Sequence, residues 1–200
     1  MEEVEAETAE IKAEAEKDKL CGIDEAGRGS LAGPLVVAGV VLKSRIEGLN
    51  DSKKLTPKKR EELFEIIKQN SYCKIIFTDN ETIDRIGLSL ALKHSIEEIK
   101  KHFGNYRILM DGNTNFGVIG VKWMIKADAK IPEVSAASIL AKVSRDRYMI
   151  KISKEFSDYG FEKHKGYGTK EHIAMIKKYG YSPLHRKSFY IKKLRISSLL

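Results

Sequence analysis

The stretch LCGIDEAGRGSLAGPLVVAGVVLK, residues 20–43, carries the first signal for the fold. A strand-like run from Leu20 reaches a turn marked by Gly27 and Gly29, and Pro34 opens a second apolar run that continues to the end of the stretch. Two apolar runs joined by a glycine-rich turn are typical of a β-hairpin. The stretch therefore predicts two antiparallel strands.

The rest of the chain alternates helical and strand patterns. The apolar spacing predicts helices over 56–69, 80–103 and 132–156, and strands over 72–78, 106–110 and 121–127. Alternating strands and helices usually build parallel sheet segments, whereas the hairpin is antiparallel. The sequence therefore predicts an α/β fold with a mixed sheet and helices packed on it.

Charge divides the chain into two parts. Residues 1–19 hold eight acidic residues and three lysines, and read as an exposed helix or a frayed extension. Because the whole chain carries +8, the single globular domain expected over 20–200 carries +13. From His172 to the C-terminus there are seven Lys or Arg and no Asp or Glu. This segment either contacts a phosphate backbone or is a solvated basic tail.

Cysteine use and hydropathy indicate a cytoplasmic protein. Cys21 and Cys73 lie inside apolar runs, which fits buried thiols in a reducing compartment. The N-terminus lacks an apolar signal region, and no stretch reaches the roughly 18 apolar residues of a membrane span. We therefore expect no contact with membranes.

Acidic residues fall at the ends of three predicted strands. Asp24 and Glu25 precede Gly27, Asp111 precedes a glycine, and Asp128 closes the predicted 121–127 strand. Taken singly, each aspartate would read as a turn or cap residue. Together they are placed to meet in a crevice at the sheet edge, where several carboxylates cannot all stay ionised without cations.

The donor set favours a hard divalent cation. No His or Cys stands at ligand spacing, so carboxylate oxygens predict Mg²⁺ or Mn²⁺. Two such ions about 3.5 to 4 Å apart would clamp a phosphodiester for in-line attack by water. Adjacent strand residues point to opposite faces, so Asp24 and Glu25 share a site only if the strand bulges or ends there. The predicted reaction is phosphodiester hydrolysis.

Three further features accompany the acids. Arg28 lies between two glycines, where it can meet a phosphate or simply occupy a turn. Tyr167 also lies between glycines, on a basic loop that suits stacking or serves only as an anchor. Four polar residues at helical spacing form one stripe, either functional or solvated: Ser135, Ser138, Lys142 and Asp146.

Five motifs in order now resemble one family. They are DEAGRG at 24–29, DSKKL at 51–55, MDGN at 110–113, ADAKIPEVSAASILAKVSRD at 127–146 and HKGYGT at 164–169. Over residues 20–190 the chain resembles type 2 ribonuclease H of the bacterial kind. The resemblance implies a ribonuclease-H-like mixed five-stranded sheet flanked by helices, plus a small helical C-terminal region.

The resemblance also implies an activity and a set of site residues. It implies an endonuclease, acting as a monomer, that hydrolyses the RNA strand of RNA–DNA hybrids and incises 5′ of single ribonucleotides in duplex DNA. A two-metal-ion mechanism with Mg²⁺ or Mn²⁺ would leave 3′-hydroxyl and 5′-phosphate ends. The implied catalytic and metal-binding residues are Asp24, Glu25, Asp111 and Asp128. The implied substrate-binding residues are Gly27, Arg28, Gly29, Lys53, Ser135, Ser138 and Tyr167, with Asp146 in support.

Two departures and two alternatives accompany this interpretation. Ser30 stands where the family commonly has proline, and Ala127 where it commonly has glycine, which affects only the fine geometry of the loops. A non-catalytic nucleic-acid-binding module would explain the basic half but not the clustered acids. A carboxylate-pair glycosidase would need a groove lined with aromatics, and one Trp with eight Tyr gives it little support.

Overall fold

The computed structural model describes residues 19–49 and 55–189, and the rest of the acidic segment predicted over 1–19 lies outside them. The strands of this part of the chain are β1 Leu20–Ala26, β2 Leu35–Leu42, β3 Ser71–Thr78, β4 Arg107–Asp111 and β5 Val121–Met124. Its α-helices are α1 Pro57–Asn70, α2 Asn80–Ile86, α3 Leu88–His102, α4 Pro132–Ile152, α5 Phe161–His164 and α6 Lys170–Tyr179. Short 3₁₀ turns lie at Ala127–Ala129 and Ser157–Tyr159.

The five strands form one sheet in the order β3-β2-β1-β4-β5. Strand β2 pairs antiparallel with both β1 and β3, whereas β4 pairs parallel with β1, and β5 parallel with β4. The predicted hairpin is therefore confirmed. The mixed five-stranded sheet flanked by helices is confirmed with it.

Strand β2 is covered on both faces, which explains why its sequence is apolar throughout. Val36, Ala38 and Val40 pack in one cluster with buried residues of α1 and α4. Leu35 and Val37 pack on the opposite side in a cluster with buried residues of α2 and α3. The sheet is thus the middle of three layers, and the two apolar clusters hold it in place.

Helix α1 begins as the sequence predicts, because the Thr56 side chain accepts a hydrogen bond from the Lys59 amide at 3.2 Å. The single helix predicted over 80–103 is wrong. The chain breaks at Gly87, whose φ of 83° lies in the left-handed region and whose amide closes α2 on the Ile83 carbonyl. The apolar spacing continues across the break because α2 and α3 pack against the same cluster.

The strand predicted over 121–127 is also shorter than expected. Strand β5 ends at Met124, which pairs with Asp111, the last residue of β4. Without a further partner residue on β4 the ladder stops, and Lys126 turns the chain with a φ of 57°. Asp128 therefore lies in a 3₁₀ turn and does not end a strand.

Helix α4 packs directly across β1 and β2. A methyl group added at Gly22 would lie 2.3 Å from the carbonyl carbon of Glu133, so the first turn of α4 touches the backbone of β1. This close approach brings Ser138 into hydrogen-bond contact with Asp24.

The C-terminal helices form the small region that the resemblance implies. Phe161 and Tyr159 pack with Ala32 and Met149, which fastens α5 to the far end of α4. Within the described residues, no helix combines the length and apolarity needed to cross a membrane.

The two cysteines are unpaired thiols. Cys21 is fully buried, and burial raises the pKa of its thiol to about 12, because a thiolate would lose its hydration there. Cys73 is half-buried and packs at the edge of the α1–α4 cluster. Cys21 is therefore the buried thiol that the sequence predicts, whereas Cys73 is only partly buried.

Candidate active site

The acidic residues meet where two parallel strands separate. Strands β1 and β4 pair only as far as Ile23 and Met110, and the next residues along each are Asp24 and Asp111. With Asp128 from the 3₁₀ turn, these aspartates can each offer one carboxylate oxygen, all within 4.8 Å of one another. In the part of the chain that the structure describes, this is the one cluster of three potential metal ligands.

Glu25 reaches the same cavity as Asp24 although β1 neither bulges nor ends at these residues, so the condition that the sequence set for sharing a site is wrong. Strand β1 keeps regular pairing with β2 through Ala26, so Asp24 and Glu25 alternate in the ordinary way. Both nevertheless line one cavity, because β1 has lost its β4 neighbour beyond Ile23 and its edge is open there. The Glu25 carboxylate lies 3.7 Å from the Arg28 guanidinium.

The electrostatics of the cluster favour a cation. Burial raises the pKa of the Asp24 carboxyl well above its usual value, and the neighbouring charges of Glu25 and Asp111 raise it further. Hydrogen bonds from Ser138 and from the Glu25 amide oppose this shift. Asp111 is fixed by the Ala127 amide, which donates to its Oδ1 at 2.7 Å. Crowded, fixed carboxylate oxygens are a donor set that suits Mg²⁺ or Mn²⁺.

Cationic side chains line the same cavity as the acids. The cavity measures about 390 Å³ and is lined by Asp24, Glu25, Ala26, Arg60, Asp111, Ser138, Lys142 and Tyr167. Lys142 is held by Asp146, with Nζ and Oδ1 2.7 Å apart, so the predicted polar stripe of α4 does reach the site. Ser135 is buried but is not among the lining residues. Arg60 is not predicted from the sequence, because it is one of several charged residues on α1 and no motif sets it apart from them.

The DEAGRG and HKGYGT motifs touch each other. The Gly27 amide donates to the Tyr167 hydroxyl at 3.2 Å. Gly27 has a φ of 87°, and a methyl group there would lie 2.0 Å from Nε of Arg145, so only glycine fits. The Arg145 guanidinium in turn lies 5.1 Å from the centre of the Tyr167 ring. The two motifs are therefore parts of one site.

Arg145 is a second residue of the site that is not predicted from the sequence. It is fully buried and donates to the Pro34 and Lys165 carbonyls, each at 2.8 Å, and to the Ser30 hydroxyl at 2.7 Å. The same Ser30 hydroxyl donates its own hydrogen bond to the Gly27 carbonyl at 2.8 Å. Ser30 thus links the buried arginine to the glycine turn.

The other residues predicted for the site differ in their exposure and contacts. Arg28 is exposed, and its guanidinium lies 5.3 Å from the Phe116 ring centre. A methyl group added at Gly29 would meet no atom within 4 Å, so the protein itself leaves this position open. Lys53 lies outside the described residues. Arg186, one of the basic C-terminal residues, is buried and donates to the Gly33 carbonyl, so it is not available to a phosphate backbone.

A mixed five-stranded sheet whose carboxylates gather where β1 and β4 part defines the ribonuclease-H-like class of nucleases. A sequence profile described as Ribonuclease HII matches residues 21–192, and the chain belongs to that family of endoribonucleases. The resemblance to type 2 ribonuclease H is thereby confirmed.

Individual relatives agree. The chain is 58% identical over 182 residues to Ribonuclease HII of Campylobacter concisus, covering 90% of this chain and 98% of that one. It is 60% identical over 178 residues to Ribonuclease HII of Aliarcobacter butzleri, covering 88% and 92%. The solved RNase HII of Archaeoglobus fulgidus, in complex with PCNA, superposes with a TM-score of 0.76 at 29% identity, covering 87% of this chain and 96% of that chain.

Proposed function

We propose that the chain hydrolyses the RNA strand of RNA–DNA hybrids and incises 5′ of single ribonucleotides embedded in duplex DNA. The catalytic and metal-binding residues would be Asp24, Glu25, Asp111 and Asp128. The observation that carries this proposal is the gathering of three aspartate oxygens within 4.8 Å of one another, on a fold shared with RNase HII. The products would carry 3′-hydroxyl and 5′-phosphate ends.

Mg²⁺ or Mn²⁺ is the proposed cofactor, bound as a pair. Bound ions would polarise the scissile phosphate and lower the pKa of the attacking water. The protein contributes a fixed set of oxygen donors, because Ser138 holds Asp24 and the Ala127 amide holds Asp111. The raised pKa of Asp24 means that protons compete for this site, so we expect metal affinity to fall as the pH falls.

Cations on the cavity wall would hold the substrate backbone. Arg60 and Lys142 line the same cavity as the acids, at a position suited to the phosphates that flank the cleaved bond. Asp146 would act through Lys142, since their contact of 2.7 Å fixes the ammonium group on the helix surface. These residues bind and orient the substrate, and the carboxylates serve the chemistry.

Selectivity for a ribonucleotide would come from the touching motifs. Tyr167 presents an aromatic ring to the cavity, and its hydroxyl is anchored on the Gly27 amide. A ring held in this way can pack against a sugar whose shape depends on its 2′-hydroxyl. The open space at Gly29 allows a nucleic-acid backbone to approach the loop closely, with Arg28 beside it.

The proposal is tested with an RNA–DNA hybrid in Mg²⁺ or Mn²⁺, with and without EDTA. We expect EDTA to stop cleavage while binding of the hybrid persists, because the basic groups on the cavity wall remain in place. Cleavage that continues in EDTA would exclude the metal site. A wild-type protein that binds the hybrid but never cuts it would favour the non-catalytic binding module instead.

A further inference from the structure

Three histidines lie buried behind the Tyr167 loop, and the function proposed above assigns them no role. They are His164, His172 and His185, exposed to 8%, 0% and 0%. The rings of His164 and His172 stack with centroids 4.2 Å apart, and His172 Nε2 lies 3.0 Å from His185 Nε2. None of the three lines the catalytic cavity.

The hydrogen bonds of two of these rings have one consistent direction. The Ser182 amide donates to His185 Nδ1 at 2.8 Å, so the proton of His185 lies on its Nε2. That proton faces His172 Nε2, which must accept it, and the proton of His172 therefore lies on Nδ1. From there it is donated to the Tyr167 carbonyl, 3.0 Å away. The chain of bonds ends on the backbone of the proposed sugar-sensing residue.

The third histidine holds the neighbouring residue of the same loop. The Gly166 amide donates to His164 Nδ1 at 3.2 Å, so His164 carries its proton on Nε2 and donates to the Tyr159 carbonyl at 2.7 Å. The backbone packs closely at Gly166 and leaves no room for a side chain, because a methyl group there would lie 2.3 Å from the Ala32 carbonyl oxygen. Two consecutive loop residues, Gly166 and Tyr167, are thus held by hydrogen bonds with the histidine rings.

This arrangement works only with neutral rings. A second proton on His172 or on His185 would place two N–H groups face to face or against the Ser182 amide. Burial, with the neighbouring His164 ring, accordingly lowers the pKa of both His172 and His185 to about 4. The rings therefore stay neutral donors and acceptors at physiological pH.

We propose that His172 is a positioning residue for substrate selectivity: the relay from Ser182 through His185 and His172 fixes the Tyr167 carbonyl and so sets the phenol against the Gly27 amide. The inference rests on the selectivity proposed above for Tyr167. It differs from a purely structural role, in which buried histidines would only fill space between α5, α6 and the loop.

Two substitutions at one position separate these roles. In His172→Asn the side-chain amide can still donate to the Tyr167 carbonyl but no longer reaches His185. In His172→Gln the longer side chain can still meet His185 but loses the Tyr167 carbonyl. Each variant removes one hydrogen bond of the His172 ring, while the Tyr167 carbonyl still accepts from the Thr169 amide at 2.8 Å in both, so both variants should lose thermal stability.

The readout is the ratio of kcat/KM on duplex DNA with a single ribonucleotide to kcat/KM on a uniform RNA–DNA hybrid. We expect His172→Gln to lower this ratio about five- to tenfold, the scale of one lost hydrogen bond, and His172→Asn to leave it within about twofold. Added to Tyr167→Ala, His172→Gln should cause no further loss, because both act through the same ring. Equal ratios for the two histidine variants would overturn the inference.

A second variant keeps the test open if His172→Gln does not fold. His185→Phe removes the donor to His172 Nε2, which interrupts the relay one step before the Tyr167 carbonyl, and it should lower the same ratio about two- to fivefold. An unchanged ratio in a folded His185→Phe would also overturn the inference. If the wild type fails to cut at a single ribonucleotide, or Tyr167→Ala leaves the ratio unchanged, the proposed function has failed instead.

Discussion

The acidic cavity and the histidine cluster behind it differ in how their polar groups are satisfied: the cavity brings carboxylates close together, and the cluster pairs its ring nitrogens by hydrogen bonds. In the cavity, burial and then the charges of the neighbouring carboxylates raise the pKa of Asp24. In the cluster, each ring nitrogen of His164, His172 and His185 has a hydrogen-bond partner within the protein. The first region is incomplete without cations from outside, whereas the second is completed by the protein itself. Substitutions in the cavity should therefore change the chemistry, and substitutions in the cluster should change stability and selectivity.

The largest expected effect is in the cavity. Asp111→Asn should lower cleavage of an RNA–DNA hybrid at least a hundredfold, roughly the scale of a lost metal ligand, with the fold intact. The amide oxygen of asparagine can still accept from the Ala127 N–H, so the local structure survives. Activity is measured under single-turnover conditions, with hybrid affinity as the control. Activity above a tenth of the wild type would count against Asp111 as a ligand.

Next in size is the ring that joins the two regions. Tyr167→Ala should reduce kcat/KM on a duplex with one ribonucleotide by about ten- to a hundredfold, since one stacking contact is worth roughly 1 to 3 kcal/mol. Tyr167→Phe is the matched control, because it keeps the ring and loses only the bond with the Gly27 amide. Metal affinity should stay the same in both. If Tyr167→Ala cuts this duplex at the wild-type rate, the sensing role of the loop is wrong.

A smaller effect, on stability, is expected at the Ser30 hydroxyl, which links Arg145 to Gly27. Ser30→Ala removes a hydroxyl that accepts from Arg145 and donates to the Gly27 carbonyl, and should cost about 1 to 3 kcal/mol of unfolding free energy. Urea denaturation measures the change, and Ser44→Ala at an exposed position serves as the control. Equal stability of the two variants would show that the serine hydroxyl does not support the buried arginine.

The last effect is a pH dependence of stability that belongs to the histidine cluster. Because the folded pKa of His172 and His185 is about 4 and the ordinary value is 6.5, the unfolded chain binds more protons between these limits. Stability is therefore fully present above pH 6.5 and falls as the pH drops toward 4. In His172→Asn the loss of unfolding free energy between pH 7 and pH 5 should be smaller by about 2 kcal/mol. The raised pKa of Asp24 acts equally in both proteins, so it cancels in this difference.

Denaturation curves for the wild type and for His172→Asn at pH 7 and pH 5 measure that difference. Parallel losses in the two proteins would mean that His172 titrates normally in the folded state.

The sequence predicts what is local and misses what depends on distant partners. The hairpin and the positions of Asp24 and Asp111 in their strands follow from patterns within a few residues. The length of β5 does not, because it is limited by where β4 ends, and so the turn at Asp128 was mistaken for a strand end. The roles of Arg145 and Arg147 could not be told apart either. Arg145 is buried and donates to the Pro34 and Ala32 carbonyls, more than a hundred residues away in the chain, as well as to the Lys165 carbonyl. Arg147 instead pairs with Glu61 at the surface.

The most direct test of the central claim uses duplex DNA with a single embedded ribonucleotide, incubated with the wild type and Asp111→Asn in Mg²⁺ or Mn²⁺. The cut is mapped at nucleotide resolution and its ends are identified chemically. If the acidic cavity is a ribonuclease site, the wild type makes one cut 5′ of the ribonucleotide, leaving 3′-hydroxyl and 5′-phosphate ends, and Asp111→Asn makes none. A wild type that leaves this duplex whole, or an Asp111→Asn variant that cuts it equally well, would contradict the claim.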